Sequence, residues 1–207
     1  MAKQTSSGRW KQRQARDPYV RKAHAEGWRS RAAFKLQEIL ARERCLRRGA
    51  VVVDLGAAPG GWSQVAAAAV GEGGLVVAVD LLEFEPIPGV RFIRGDFCDE
   101  SVIAALRSAL GGRPVDLVLS DMAPNISGNW SVDQPRSMAL AEQALEAAEE
   151  LLKPAGGFIV KVFQGEGFAE LVRTCRGHFA TVRIRKPDAS RAESREMYVV
   201  ATGRRLV

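Results

Sequence analysis

The stretch Val51-Val52-Val53-Asp54-Leu55-Gly56-Ala57-Ala58-Pro59-Gly60-Gly61 decides the architecture. A β-branched run that breaks into glycines and then into an alanine-rich segment at 62–70 reads as strand, tight turn and helix. The strand is apolar at consecutive positions, so both of its faces must be covered, as in a parallel sheet flanked by helices. The same alternation continues down the chain. Gly71-Glu72-Gly73-Gly74 turns into a second strand at 75–79 that ends on Asp80, and Val90-Arg91-Phe92-Ile93 is a third. A helix at 100–110 leads to a fourth strand at 115–119, which reaches Ser120-Asp121. Residues 122–132 form a polar loop. Leu140, Ala144, Ala148, Leu151 and Leu152 then mark one face of a long helix at 133–152. Pro154 and Gly156-Gly157 stop it, and a fifth strand at 158–163 precedes a helix at 168–178. The last two strands, 181–185 and 197–201, have no helix between them and should be antiparallel neighbours. Upstream, Phe34, Leu36, Ile39 and Leu40 predict a helix starting near Ser30 and ended by Gly49. The expectation is one α/β domain over 30–207, a mostly parallel seven-stranded sheet with helices on both faces, behind an N-terminal arm at 1–29.

Composition and charge narrow the function. With 207 residues, 46% hydrophobic and 26% charged, the chain is ordinary globular protein and not wholesale disorder. No apolar run reaches the roughly 18 residues of a membrane span, and the polar start has no apolar segment of a secretory signal. Three cysteines, Cys45, Cys98 and Cys175, lack C-x-x-C spacing, and there are only two histidines, so neither a disulfide framework nor a metal centre is expected and a reducing cytoplasm is. The net charge of +6 is unevenly spread: residues 1–48 hold 14 Lys/Arg against 4 Asp/Glu, the remainder 16 against 20. Trp10, Tyr19 and Trp28 lie among the basic residues of the arm, a mixture suited to stacking on bases and neutralising phosphates. A second basic stretch, Arg183, Arg185, Lys186, Arg191 and Arg195, completes the pattern of a polyanion groove. No exposed apolar stripe calls for a protein partner, so a monomer is expected.

In an open α/β sheet ligands bind beyond the carboxyl ends of the strands. There lie the glycine loop, Asp80, Asp96 and Ser120-Asp121. The loop departs from the G-x-G-x-x-G dinucleotide fingerprint and lacks the G-K-S/T of a P-loop. Asp80, 20 residues past Gly60, is spaced to reach ribose hydroxyls, which points to an adenosine-containing ligand. Lys161 interrupts an apolar strand and needs a carboxylate partner; Asp121 is the candidate, with Lys35 and Glu196 able to complete a polar cluster. Trp62 reads equally as core or as lining of the cofactor site. Met122 and Pro124 should shape the substrate loop. Cys98 reads as a small buried filler, His178 as a helix-end cap and His24 as a solvated residue of the arm.

Five segments in order, SRAAFKLQEI (30–39), DLGAAPGGWSQ (54–64), SDMAPNISG (120–128), VKVFQGEGF (160–168) and RKPDASRAESREMYVVATG (185–203), closely resemble the FtsJ-type (RrmJ or RlmE) ribosomal RNA 2′-O-methyltransferases. The resemblance implies a Rossmann-like, S-adenosyl-L-methionine-dependent methyltransferase fold and methylation of a uridine ribose in the A-loop of large-subunit rRNA, on the 50S particle, with no metal. It places the catalytic Lys-Asp-Lys-Glu tetrad on Lys35, Asp121, Lys161 and Glu196, and the cofactor residues on Gly60, Trp62, Asp80, Asp96 and Asp121. Lys161 is expected to take the hydroxyl proton, or else to remain charged and steer the hydroxyl lone pair. Alternative readings are a tRNA 2′-O-methyltransferase and a non-catalytic RNA-binding assembly factor. A small-molecule methyltransferase is disfavoured by the basic arm.

Overall fold

The computed structural model describes residues 17–205. Seven strands form one sheet in the order β3-β2-β1-β4-β5-β7-β6: β1 (Val51–Leu55), β2 (Leu75–Asp80), β3 (Val90–Arg94), β4 (Val115–Ser120), β5 (Leu152–Phe163), β6 (Phe179–Arg185) and β7 (Glu196–Arg204). The first five pair in parallel, and β7 inserts antiparallel between β5 and β6. The expected antiparallel pair is therefore present. Every residue of β1 is buried, as a strand covered on both faces requires.

Strand alternation divides the core in two. Val51, Val53 and Leu55 face helices α4 (Glu100–Leu110), α5 (Trp130–Leu151) and α6 (Phe168–His178), which present Leu106, Ala144, Leu145 and Leu171. Val52, Leu117, Leu119 and Ile159 face α2 (Ala32–Glu43) and α3 (Gly61–Val70), which present Leu36, Ile39, Val65 and Ala66. No helix among the described residues is long and apolar enough to cross a membrane.

Among the boundaries that differ from the sequence reading, four have a visible cause. Helix α2 stops at Glu43, not Gly49: Arg44 turns left-handed at φ 50° and its N–H closes on Leu40. Cys45 and Leu46 then pack against the α2/α3 core, and that burial outweighs continuing the helix. Helix α5 begins at Trp130, because the Asn129 side chain accepts from the Ser131 N–H and caps it. Strand β5 begins at Leu152, with a register shift against β4 between Val115 and Leu117 that absorbs Pro154 and its neighbours.

The fourth concerns the arm. Residues 1–16, with Trp10, lie outside the described residues. From Asp17 onward the arm is packed on the domain: helix α1 (Pro18–Ala25) buries Ala23 beside Phe34 and Ala189, and Tyr19 sits 5.7 Å from the Phe34 ring. Asp17 caps α1 through the Tyr19 N–H and pairs with Arg31 and Arg191. Arg29 donates to the carbonyls of Glu85 and Pro86. The boundary expected at 29/30 thus falls inside packed structure.

Candidate functional site

Period-two alternation assembles the charged cluster. Leu117, Leu119 and Asp121, Ile159 and Lys161, and Val200, Tyr198 and Glu196 continue the sheet face that α2 covers. Lys35 lies one turn before Ile39 on α2, so it hangs over that face too. In the register of β5 and β7, Lys161 stands opposite Tyr198 and Phe163 opposite Glu196.

The distances are those of a connected network. Lys161 Nζ donates to the Asp121 backbone carbonyl at 2.5 Å and lies 3.2 Å from its Oδ1. Lys35 Nζ is 2.6 Å from Glu196 Oε1. The Tyr198 hydroxyl is 2.9 Å from both Asp121 Oδ1 and Glu196 Oε1, and Ser190 Oγ donates to Glu196 at 2.9 Å. A phenol has one proton, so Tyr198 shares it between two carboxylates that it holds at a fixed spacing. Burial alone would push the Glu196 carboxyl up; the Lys35 and Lys161 ammonium groups, with hydrogen bonds from Lys35 and Ser190, hold it below the usual carboxylate range. The same burial, reinforced by Asp121 and Glu196, raises the Tyr198 phenol well above its ordinary value. Lys161 is only 9% exposed, in keeping with the expected burial.

Beside this network a cavity of about 650 Å³ opens over the carboxyl ends of β1, β2 and β4, lined among others by Gly56, Asp80, Leu82, Asp96, Asp121 and Met122. Asp80 accepts from the Ala58 and Leu82 N–H groups, each at 2.8 Å, which fixes its carboxylate at the cavity wall. Asp96 accepts from the Cys98 N–H at 3.0 Å. Leu81 and Leu82 are 62% and 69% exposed. Apolar side chains of that size at a cavity rim suit a flat apolar group laid across them. Gly56, at φ 72°, has no room for a side chain: a Cβ there would lie 2.1 Å from Met122 Cγ. Asp121 belongs to both the cavity and the charged network.

Gly60 and Trp62 do not line this cavity. Trp62 is buried, donating from its indole to the Ala32 carbonyl at 2.9 Å, with its ring 5.7 Å from that of Tyr198. Gly60, at φ 100°, is the N-cap of α3, whose first amides have no acceptor within the helix. Cys98 is exposed, not the buried filler expected, because the turn that aims Asp96 leaves it on the surface. His178 does end α6, with Nδ1 3.0 Å from Glu149.

Sequence reasoning missed three contributors. Tyr198 and Ser190 complete the network, and only the antiparallel register and the β6–β7 loop bring them there. The third is Asp54, fully buried beneath the glycine loop, with Oδ2 receiving the Ser63 hydroxyl at 2.6 Å and Oδ1 without a partner among the described residues. Burial pushes its carboxyl up to about 7; the charges of Asp121 and Asp80 add to the rise and Ser63 opposes it. An acid inside an otherwise apolar strand was the available signal.

Comparison with known proteins follows the same lines. A family model described as FtsJ-like methyltransferase matches residues 28–204. The chain is 54% identical over 203 residues to the ribosomal RNA large subunit methyltransferase E of Cellvibrio japonicus (strain Ueda107), covering 98% of this chain and 96% of that protein. It is similar, at TM-score 0.78 and 29% identity, to a crystal structure assigned as a ribosomal RNA methyltransferase from Plasmodium falciparum, with 86% of this chain and 98% of that one covered. A structure assigned as an rRNA methylase from Clostridium thermocellum shares the fold, at TM-score 0.56 and 20% identity, over 82% of this chain and 97% of that one.

Proposed function

The chain belongs to the FtsJ-like methyltransferase family, and from that premise we propose that it methylates a uridine ribose 2′-hydroxyl in the A-loop of large-subunit rRNA, on the 50S particle, using S-adenosyl-L-methionine. The observation that carries this reading is the place of Asp121, which lines the cavity and also holds Lys161. A donor in the cavity and an acceptor at Lys161 would meet across that one residue.

The cavity's donor and acceptor set fits the cofactor. Asp80 retains lone pairs for ribose hydroxyls, Asp96 is an acceptor for a further donor, and Leu81 and Leu82 suit an adenine face. The Gly60 amide already closes on the Ala57 carbonyl, which leaves the Gly61 and Trp62 amides at the start of α3 to suit a carboxylate. Gly60, Trp62, Asp80, Asp96 and Asp121 are the residues assigned to holding it. When bound, S-adenosylmethionine supplies an electrophilic methyl on a sulfonium.

The chain's own work is to place the hydroxyl and manage its proton. Once it has released a proton, a lysine amine has two N–H groups and one lone pair. Lys161 donates to the Asp121 carbonyl and is held beside the Asp121 carboxylate, so in the deprotonated amine the lone pair is left for the acceptor hydroxyl. Lys161 takes the hydroxyl proton as the oxygen–methyl bond forms, and the carboxylates of Asp121 and Glu196 stabilise the ammonium that results. Lys35 keeps Glu196 ionised and in place.

The test is transfer of labelled methyl to 50S subunits from cells lacking this protein, to naked rRNA and to tRNA, with wild type and Lys161→Ala in parallel. Label on one large-subunit ribose with wild type, none with Lys161→Ala, and an unchanged cofactor dissociation constant are expected. Label on tRNA alone would overturn the substrate, and retained turnover in Lys161→Ala would overturn the proton transfer.

A further inference from the structure

Of the five basic residues clustered near the C-terminus, four are engaged within the fold. Arg183 and Arg185 pair with Glu43 at 2.9 and 2.6 Å, and Arg191 pairs with Asp17 at 3.1 Å. Lys186 donates to the carbonyls of Ala192 and Ser194. Arg195 alone of the five has a side chain with neither an ion pair nor a hydrogen bond among the described residues, and it is exposed. Its guanidinium lies over the indole of Trp130, 4.4 Å from the ring centroid. Trp130 is itself 37% exposed, a large apolar surface left in water at the first position of α5.

The place of this pair is set by the same register that builds the charged network. The Trp130 ring rests 5.9 Å from that of Phe163, which lies two residues beyond Lys161 on the same face of β5. That is one strand repeat, about 7 Å, toward the open end. Arg195 adjoins Glu196, and its carbonyl accepts from the Gln164 N–H at 2.8 Å, so its backbone is pinned to the end of β5. The cofactor cavity has neither residue in its lining.

We infer that Trp130 and Arg195 form a stacking platform for an unpaired nucleobase of the RNA, adjacent to the ribose held at Lys161. An indole and an unpaired guanidinium, one over the other, offer a flat cationic surface, and RNA is read chiefly through unstacked bases laid on aromatic and guanidinium planes. The N–H edge of Arg195 is left to a phosphate. The platform selects single-stranded loops over duplex, since a paired base cannot be laid on it. The inference rests on RNA being the substrate.

The test measures KM for undermethylated 50S subunits, at saturating cofactor, for wild type, Trp130→Ala, Trp130→Phe and Arg195→Ala, alongside melting temperature and cofactor dissociation constant. Trp130→Ala should raise KM for the particle by about tenfold with cofactor affinity unchanged. Trp130→Phe should recover most of the loss, because it restores a π-face. Arg195→Ala, at an exposed position where folding is not at risk, should raise KM and lower its salt dependence. An active wild type with unchanged KM in both alanine variants overturns the platform and leaves the substrate reading standing. A wild type that methylates no RNA overturns both.

Discussion

Asp54 shows how much one buried carboxyl can shape pH behaviour. Its pKa rises from 3.8 to about 7 in the fold, chiefly through burial. Between those values the unfolded chain releases the proton while the folded one keeps it. The stability it lends is therefore complete below pH 4 and is lost as pH rises toward 7. The loss approaches about 1.4 kcal/mol per pH unit within that window. Asp54→Asn removes the titration and keeps the shape. Melting the two proteins from pH 4.5 to 7.5 should show wild type losing ground to the variant as pH rises. Parallel curves would mean that Asp54 is ionised in the fold. At this scale the tetrad was legible in part: a lysine in an apolar strand demands a carboxylate, and Asp121 supplies it. Tyr198 was not, because a tyrosine in a strand reads as core until its hydroxyl is seen to meet two acids.

At the scale of elements, one residue ties α1 to the sheet. Asp17 caps that helix and receives two arginines from distant segments, Arg31 from the start of α2 and Arg191 from the β6–β7 loop. Burial would raise its carboxyl, but the two guanidinium groups and the Tyr19 N–H lower it. Asp17→Ala removes the cap and leaves two partly buried arginines unpaired, at a cost of about 3 kcal/mol. That corresponds to a fall of roughly 6–12 °C in melting temperature for a chain of this size. Calorimetry should find it, with a smaller fall in Asp17→Asn, which keeps the cap; a change of less than about 2 °C would refute the tie. No helix was expected within the arm, and Asp17 shows why. Its arginine partners lie 14 and 174 residues away, beyond any local pattern.

For the whole molecule, charge and packing must be separated. The first 16 residues carry five Lys/Arg and no Asp/Glu, whereas residues from Asp17 onward are committed to the domain. Removal of residues 1–16 should weaken RNA binding and flatten its salt dependence, by up to about 0.7–0.9 in log–log slope for each phosphate no longer neutralised. Binding isotherms from 50 to 200 mM salt decide it, and an unaltered slope would mean that these charges touch no RNA. Removal of residues 1–28 would also strip Tyr19 and Ala23 from Phe34 and lower stability.

The sequence by itself determined the doubly wound sheet, because apolar runs, glycine turns and helical periods are local and repeat down the chain. It also placed Asp80, Asp96 and Asp121 at or just past strand ends and Lys161 inside an apolar strand, since each ends, follows or interrupts a readable run. Only the tertiary structure decided which charges remain for RNA. Arg183, Arg185 and Arg191 look identical to Arg195 in sequence, yet carboxylates from α2 and the start of α1 engage the first three. Likewise the register of β7 against β5, set by long-range pairing, puts Tyr198 and Glu196 opposite Lys161 and Phe163. Periodicity reports which face a side chain takes; which partner waits there depends on segments distant in the chain.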